Sequence, residues 1–177
     1  NYIHQHTHLV FNDFGQNVKA GLDYSLGKNT TIGAVWTGFW TKHDEEGDAD
    51  FAARRASNEA IYLQTNTQKI FYNNSQNQLA NFNFQHNFKN KSQLSADVDL
   101  GRFRRTNKNN LMTTALVLTQ NAQKPIGNLI NETGTTIDIQ TFKADYSVAL
   151  SKIWKMEMGV KHAEVNSIND IALQTDD

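Results

Sequence analysis

Alternation of apolar and polar side chains over residues 16–40 constrains the fold of this chain more than any other feature. The apolar side of the first arm carries Val18, Leu22 and Tyr24, and the odd-numbered residues between them are polar or glycine. A period of two residues is the signature of a strand with one apolar and one polar face. The arms are joined at 27–29 by Gly-Lys-Asn, in which Gly and Asn tolerate the positive φ of a tight turn. The segment predicts a β-hairpin with arms of about eleven residues, the length that a tilted strand needs to cross a bilayer.

Two further hairpins repeat this pattern later in the chain. Each has a short turn that contains a lysine, and Lys28, Lys89 and Lys152 are 61 and 63 residues apart (89 − 28 and 152 − 89). We predict strands at 16–26, 30–40, 78–88, 92–102, 138–150 and 154–162, and turns at 27–29, 89–91 and 151–153. The predicted apolar face includes Leu22, Trp36, Phe84, Val98, Tyr146 and Met156, and the predicted polar face includes Asp23, Asn83, Asp97 and Asp145.

The segments between these hairpins have no apolar face. We predict a charged loop excursion over 41–75, with irregular strand at 59–72, and a second excursion over 103–135. We also predict a strand at 1–11, a turn at 12–15, and a loop that starts at Asn166. Short turns at one end and long loops at the other are typical of an outer-membrane barrel. A soluble sandwich more often shows short strands with loops of similar length at both ends. The sequence therefore predicts an all-β, antiparallel, long-stranded meander that forms part of a transmembrane β-barrel.

Composition excludes several other classes of protein. The 177 residues contain no run of about 18 apolar residues, which excludes transmembrane helices but not membrane strands. A net charge of −1 and one small basic cluster argue against a nucleic-acid partner. The absence of Cys excludes a disulfide scaffold and a thiolate metal site.

Three stretches of the sequence resemble a known family. QNVKAGLDYSLGKNTTIGA, NFNFQHNFKNKSQLSADVDL and FKADYSVALSKIWKMEMGVKH are similar to hairpins of the outer-membrane β-barrels of Bacteroidetes that resemble TonB-dependent receptors. The resemblance covers most of residues 11–165. It implies a barrel with more strands than this chain supplies, and a plug domain that occludes the lumen and contacts TonB. On this basis we expect residues 1–177 to be a partial barrel domain without a plug or signal peptide. Because the sequence starts abruptly in a predicted strand, we also expect it to be excised from a longer protein.

The resemblance also implies a function. It points to TonB-dependent uptake of a nutrient across the bacterial outer membrane, with ligand captured by the loops at 41–75 and 103–135. Outer-membrane lipid, a small-molecule or oligomeric nutrient and TonB are the expected partners, and we expect no cofactor and no enzyme activity. The candidate residues of the lumen wall are Lys19, Asp23, Asp97, Asp99, Lys143, Asp145 and Glu157.

Two groups of residues have the composition of metal sites. His4, His6 and His8 share one strand face at successive spacings of about 6–7 Å, and three imidazoles are a ligand set for Zn²⁺ or Cu²⁺. We favour their interpretation as polar residues that face the lumen. The acidic stretch 44–50 supplies oxygen ligands for Ca²⁺ but lacks the distal Glu of an EF-hand. We favour a solvated acidic loop.

A carboxylate pair and an aromatic set also admit two interpretations. Asp97 and Asp99 lie on one strand face at a separation that a glycosidase could use, but nothing in the sequence raises the pKa of either, and a polar barrel wall is favoured. The aromatic residues near strand ends indicate a girdle at the membrane interfaces, with a soluble aromatic core as the alternative. They are Tyr24, Trp36, Trp40, Phe88 and Trp154.

Two alternative functions remain from the sequence alone. A soluble antiparallel β binding module, for example one for carbohydrate, predicts that the apolar face packs against a second sheet. A structural or adhesive barrel predicts the same membrane-spanning wall without transport.

Overall fold

The computed structural model describes residues 2–54, 61–117, 122–151 and 153–176. They form one sheet of six antiparallel strands, in which each strand pairs with its neighbours in sequence. Within the described residues the sheet is open, and its first and last strands form the two edges. The strands are β1 (Tyr2–Ser25), β2 (Thr30–Arg54), β3 (Ile61–Asn87), β4 (Gln93–Val117), β5 (Ala122–Ala149) and β6 (Lys155–Asp176).

The six predicted hairpin strands fall on these six, and each extends at most one residue beyond the observed strand beside a short turn. The short turns lie where they were predicted. Gly27 has a φ of 76° in the first turn, and Lys91, not Asn90, takes the positive φ (62°) in the second. Asn90 instead accepts hydrogen bonds from the backbone N–H and the hydroxyl of Ser92, at 3.1 and 2.7 Å. In the third turn, Lys152 lies outside the described residues.

The predicted long loops are wrong. Described residues within 41–75 and 103–135 continue the strands, and so do Asn12 to Gly15 and the tail after Asn166. These segments lack a continuous apolar face, but their side chains still alternate between the two faces of the sheet. Each segment pairs with a neighbouring strand along its length. Strands of 22 to 28 residues result. At about 3.3 Å per residue they are roughly 75–90 Å long, far more than the roughly 30 Å of a bilayer core.

The register fixes which residues share a face. Away from irregularities at Ala53/Arg54 and Thr113/Thr114, partner residues are either both even-numbered or both odd-numbered. Because directly paired residues point to the same side, even-numbered residues lie on one face, here the outer face, and odd-numbered residues lie on the inner face. The predicted facing is therefore confirmed. Its even-numbered apolar set and its odd-numbered polar set lie on opposite sides of the sheet.

An apolar belt covers the outer face next to the short turns. It consists of the even-numbered residues within 18–24, 32–40, 80–88, 94–100, 142–150 and 154–160, among which His86 is the polar exception. Its height is about nine residues, or roughly 30 Å along a strand, which matches the hydrocarbon core of a bilayer. Leu22, Phe82 and Phe142 in the belt are 74%, 50% and 44% exposed. Since all six described strands belong to one sheet, no second sheet from the described residues covers the belt.

The upper half of the sheet, defined as the part beyond the belt and away from the short turns, has a different polarity. Its outer face is mostly polar and charged, with Lys42, Asp44, Asp48, Arg104, Lys108 and Glu132. Its inner face carries apolar side chains that include Phe11, Phe71, Leu111 and Leu129. No described helix is both long and apolar enough to cross a membrane.

Candidate functional site: the inner face of the sheet

The seven candidate wall residues all lie on the inner face, at the level of the apolar belt. Each is odd-numbered and belongs to a ladder position between the short turns and the upper half. They are Lys19, Asp23, Asp97, Asp99, Lys143, Asp145 and Glu157. The sheet therefore presents a polar wall of mixed charge behind the belt, and the role of these residues in ligand binding stays a prediction.

Asparagines on β3 lie beside two of these carboxylates. Asn81 Nδ2 donates a 2.7 Å hydrogen bond to Asp99 Oδ1. Asp23 and Asn83 meet over Gly33, where a Cβ would lie 2.2 Å from Asp23 Oδ1 and 2.7 Å from the amide of Asn83. The glycine thus leaves room for a carboxylate and an amide to approach each other from the two flanking strands.

A shallow basin close to the short turns brings three of the predicted residues together. It has a volume of about 400 Å³ and includes Lys143, Asp145 and Glu157, together with Lys155. Lys143 Nζ lies 2.5 Å from Asp145 Oδ2, and Lys155 pairs with Glu157. These side chains are 40% to 67% exposed, so solvent screens both pairs and leaves the charges accessible to a solute. Lys19 is not part of this basin.

The most densely connected group on the inner face lies in the upper half. This group, the His43 cluster, consists of Asp13, His43, Glu45 and Lys69 and is flanked by two phenylalanines. His43 Nδ1 is 2.5 Å from Asp13 Oδ1, and His43 Nε2 is 4.0 Å from Glu45 Oε2. Lys69 Nζ donates a 2.6 Å hydrogen bond to Glu45 Oε1. Glu45 is only 9% exposed, so the pair with Lys69 offsets the cost of removing its charge from water.

Aromatic rings pack on both sides of the His43 imidazole. Phe11 stacks on it with ring centroids 5.9 Å apart, and Phe71 approaches at 6.0 Å in an edge geometry. The Lys69 ammonium lies 5.5 Å from the centroid of Phe71. Charged hydrogen-bonding groups beside exposed ring surface are the combination that binds polar organic ligands in protein sites. Sequence reasoning missed this cluster, because it placed residues 42–50 in a loop and assigned no faces to them.

The histidine and acidic candidates lie elsewhere. His4, His6 and His8 are on the outer face of the upper half, with His6 opposite Asp50 and His8 opposite Asp48. The interpretation that they face the lumen is wrong, because β1 continues through residues 12–15 without a turn and so keeps its faces. Among the described residues, no three His, Asp or Glu side chains are placed to hold a metal ion.

The acidic stretch 44–50 is strand and not loop. Asp44, Glu46, Asp48 and Asp50 lie on the outer face, while Glu45 lies on the inner face. The alternation separates these carboxylates into two groups, one in contact with solvent and one within the His43 cluster.

The predicted aromatic girdle lies on the outer face. Tyr24, Phe88 and Trp154 lie near the short turns, and Phe88 packs against Tyr146 with centroids 6.4 Å apart. Trp40 lies at the opposite edge of the belt, and its indole is 6.0 Å from that of Trp36. Gly38 lies between these indoles, where a Cβ would be 2.3 Å from Trp40 and 2.9 Å from Trp36. Tyr24, Phe88 and Trp154 at one edge and Trp40 at the other bracket the belt, as interfacial aromatic residues do. Trp36 was predicted near a strand end but lies at mid-height of the belt.

Comparisons with known proteins bear on this architecture. The sequence model described as the outer membrane protein beta-barrel family matches residues 86–177. No curated protein matches the chain. Among solved structures, the membrane pore complex of pneumolysin shows 8% identity and a TM-score of 0.22 over 95% of this chain and 31% of that chain. The present chain thus spans about a third of the pneumolysin chain.

Proposed function

Because this chain belongs to the outer membrane protein β-barrel family, we propose that its six strands are part of the wall of a barrel that takes up a polar nutrient. The bacterial outer membrane is the location of this family, and the apolar belt is the surface that meets lipid. The observation that carries the proposal is the inner face. It combines a wall of mixed charge at membrane level with the His43 cluster above it.

The inner face supports a path for a polar solute. A ligand that reaches the upper half meets hydrogen-bonding groups of both charges beside the rings of Phe11 and Phe71. Below it, the exposed pairs of the basin offer weak and replaceable contacts. Passage requires binding strong enough to enter and weak enough to leave. We propose that the His43 cluster captures the nutrient and that the lower wall passes it on.

Energy coupling is the finer part of the proposal. A polar lumen that stayed open would leak solutes, so a barrel of this kind needs a gate. The resemblance to TonB-dependent receptors supports a plug domain that TonB moves at the expense of the proton-motive force. We propose no catalytic role for the wall, because Asp99 accepts a hydrogen bond from Asn81 as a structural carboxylate would.

Two observations bear on the alternative functions. A soluble module needs a second sheet over the apolar belt, whereas the described strands form a single sheet and leave the belt exposed. A structural barrel remains the second candidate, because the charged groups of the His43 cluster already pair with one another.

Uptake measurements separate these functions. Cells that produce the full-length protein would be given a panel of labelled sugars, oligosaccharides and peptides, with and without a protonophore. We expect uptake of one class of solute and its loss when the proton-motive force is removed. We also expect His43→Ala to lower uptake by about tenfold, because a hydrogen-bonding group of the capture site is lost. The control variant His8→Ala, on the outer face of the same half, should have no effect.

Each other outcome contradicts a different part of the proposal. Equal uptake with and without the protonophore would indicate a passive pore. Absence of uptake for every solute, with the protein folded in the membrane, would indicate the structural barrel. Equal effects of His43→Ala and His8→Ala would mean that the His43 cluster is not the capture site.

A further inference from the structure

A groove on the outer face lies just beyond the apolar belt. Its volume is about 520 Å³, and its lining includes Phe14, Trp40, Lys42, Gln76 and Arg104. Two neighbouring rows of the sheet form it. Trp40, Gln76 and Arg104 are paired across β2, β3 and β4 in one row, and Phe14 pairs with Lys42 in the next. All five residues are even-numbered, so their side chains project from the lipid-facing side of the wall.

The position of the groove corresponds to one interface of the membrane. Trp40 is the last aromatic residue of the belt on β2, and the next even-numbered residue, Lys42, is charged. Tryptophan and the change from apolar to charged residues mark the level of lipid headgroups. In outer-membrane barrels the short turns are periplasmic, and the groove is at the other edge of the belt. It therefore faces the headgroups of the outer leaflet.

The groove carries a cation that forms no ion pair with any described residue. Arg104 is exposed and forms no ion pair with any residue in the four described ranges. Its neighbour on the same face, Arg102, is held by Asp138 through two hydrogen bonds of 2.5 and 3.0 Å. Lys42 donates a 2.5 Å hydrogen bond to Asp44, and this bond raises the pKa of the Lys42 ammonium. The hydrogen bond from Arg102 is the largest cause that lowers the pKa of Asp138, and the charge of Arg104 contributes to the same lowering. The hydrogen bonds of that carboxylate go to Arg102. The guanidinium of Arg104 therefore remains available to an anion in the groove.

We propose that this groove binds the phosphate group of an outer-leaflet lipid whose acyl chains lie along the apolar belt. The guanidinium of Arg104 presents paired N–H donors that match phosphate oxygens. Lys42, whose ammonium also donates to Asp44, adds a second N–H donor group, and the amides of Asn74 and Gln76 add neutral donors. The belt below continues directly from the groove, so a single molecule contacts both surfaces. The inference rests on the membrane location of the wall and is independent of what the barrel transports.

The test compares two adjacent arginines on opposite faces. Arg104 belongs to the outer-face groove, whereas Arg105 is on the inner face and its Nε donates to Asn73 and Asn107, at 3.3 and 3.2 Å. The full-length protein and its R104Q and R105Q variants would be placed in detergent with diphosphorylated lipid A, and retained lipid would be counted by native mass spectrometry. We expect R104Q to weaken retention by about tenfold, the effect of losing a charged hydrogen-bonding group. R105Q should retain lipid as the wild type does.

Two further probes identify the part of the lipid that is recognised. Dephosphorylated lipid A should bind the wild type as weakly as lipid A binds R104Q. Inorganic phosphate alone should not compete at millimolar concentration, because it lacks the acyl chains. Equal loss in R104Q and R105Q, equal retention of the dephosphorylated lipid, or full competition by inorganic phosphate would overturn the proposal. If R104Q does not fold, R104K provides the same test. R104K should retain lipid A less well than the wild type does, but better than the wild type retains dephosphorylated lipid A.

Discussion

The belt half and the upper half of this sheet have the same backbone geometry but different side-chain polarity. In the belt half, apolar residues such as Val98 face outward and charged residues such as Asp97 face inward. In the upper half, Lys108 and Glu132 form an ion pair on the outer face, while Phe71 and Leu111 lie on the inner face. Strand pairing runs through both halves, and among the described residues its register shifts only at Ala53/Arg54 and Thr113/Thr114. The solvent outside the wall thus determines which residues are tolerated, while the backbone ladder determines the fold.

The two halves also differ in how their side chains interact. Lipid offers the outer face of the belt no hydrogen bonds, so this surface is limited to apolar and aromatic groups. In the upper half, water solvates the outer face and ion pairs cross between strands on both faces. The same substitution should therefore change the stability of the protein by different amounts in the two halves.

The largest effect is expected from a charge on the outer face of the belt. Val98→Arg should destabilise the folded barrel by about 2–4 kcal/mol, if Val98 lies near the midplane of the bilayer. Two control variants distinguish the effect of the face of the sheet from the effect of the depth in the membrane. Ser95→Arg places the same residue on the inner face opposite Asp145, and Thr106→Arg places it on the outer face of the upper half. Unfolding in urea from lipid vesicles is the measurement, and three equal losses would contradict the division into halves.

An intermediate effect is expected within the upper half. Lys69→Gln leaves the carboxylate of Glu45, which is only 9% exposed, without its charged partner. We expect a loss of about 1–3 kcal/mol. Lys108→Gln breaks the ion pair with Glu132 on the outer face, where both side chains are about half exposed, and should cost about 0–1 kcal/mol. Chemical unfolding of both variants measures the difference, and equal losses would mean that the inner face is as well solvated as the outer face.

The smallest effect is expected at the boundary between the halves. The hydrogen bond from Arg102 lowers the pKa of Asp138 below its ordinary value of 3.8, despite an opposing contribution from desolvation. A carboxyl whose pKa is lowered by folding stabilises the protein above its ordinary pKa, and this contribution is lost as the pH falls through the lowered value. The wild type should therefore be more stable than Asp138→Asn at neutral pH, and the difference should shrink below pH 3.8. Urea unfolding of both proteins across this pH range is the measurement. A difference in their free energies of unfolding that does not change with pH would contradict the lowered pKa of Asp138.

The sequence predicted the belt half well because its signal is local. In segments such as Val18–Leu26, one face is apolar and the other is polar. The local hydropathy pattern therefore shows both that the segment is a strand and which residues share a face. In the upper half, Lys42, His43, Asp44 and Glu45 are all charged or polar, and alternation leaves no trace in their hydropathy. What holds these residues in a strand is pairing with β1 and β3, which no local pattern encodes.

The candidate site was predicted in part for the same reason. The inward facing of Asp97 and Lys143 follows from counting alternate residues. The His43 cluster requires knowledge of register, because Asp13 lies directly opposite His43 while Lys69 reaches Glu45 on a diagonal between strands. A small error in the register of β1 against β2 would separate Asp13 from His43.

The meander order of the strands has a consequence for how such a wall changes over evolutionary time. Within the described residues, each strand contacts only its neighbours in sequence. A hairpin with its connection is therefore a self-contained unit of 61 to 63 residues between equivalent lysines. Duplication or deletion of one unit would change the number of strands by two. The pairing between the strands of the remaining hairpins would stay the same. Because barrel diameter grows roughly linearly with strand number, the width of the barrel can change in steps while the side chains that line it are inherited unchanged.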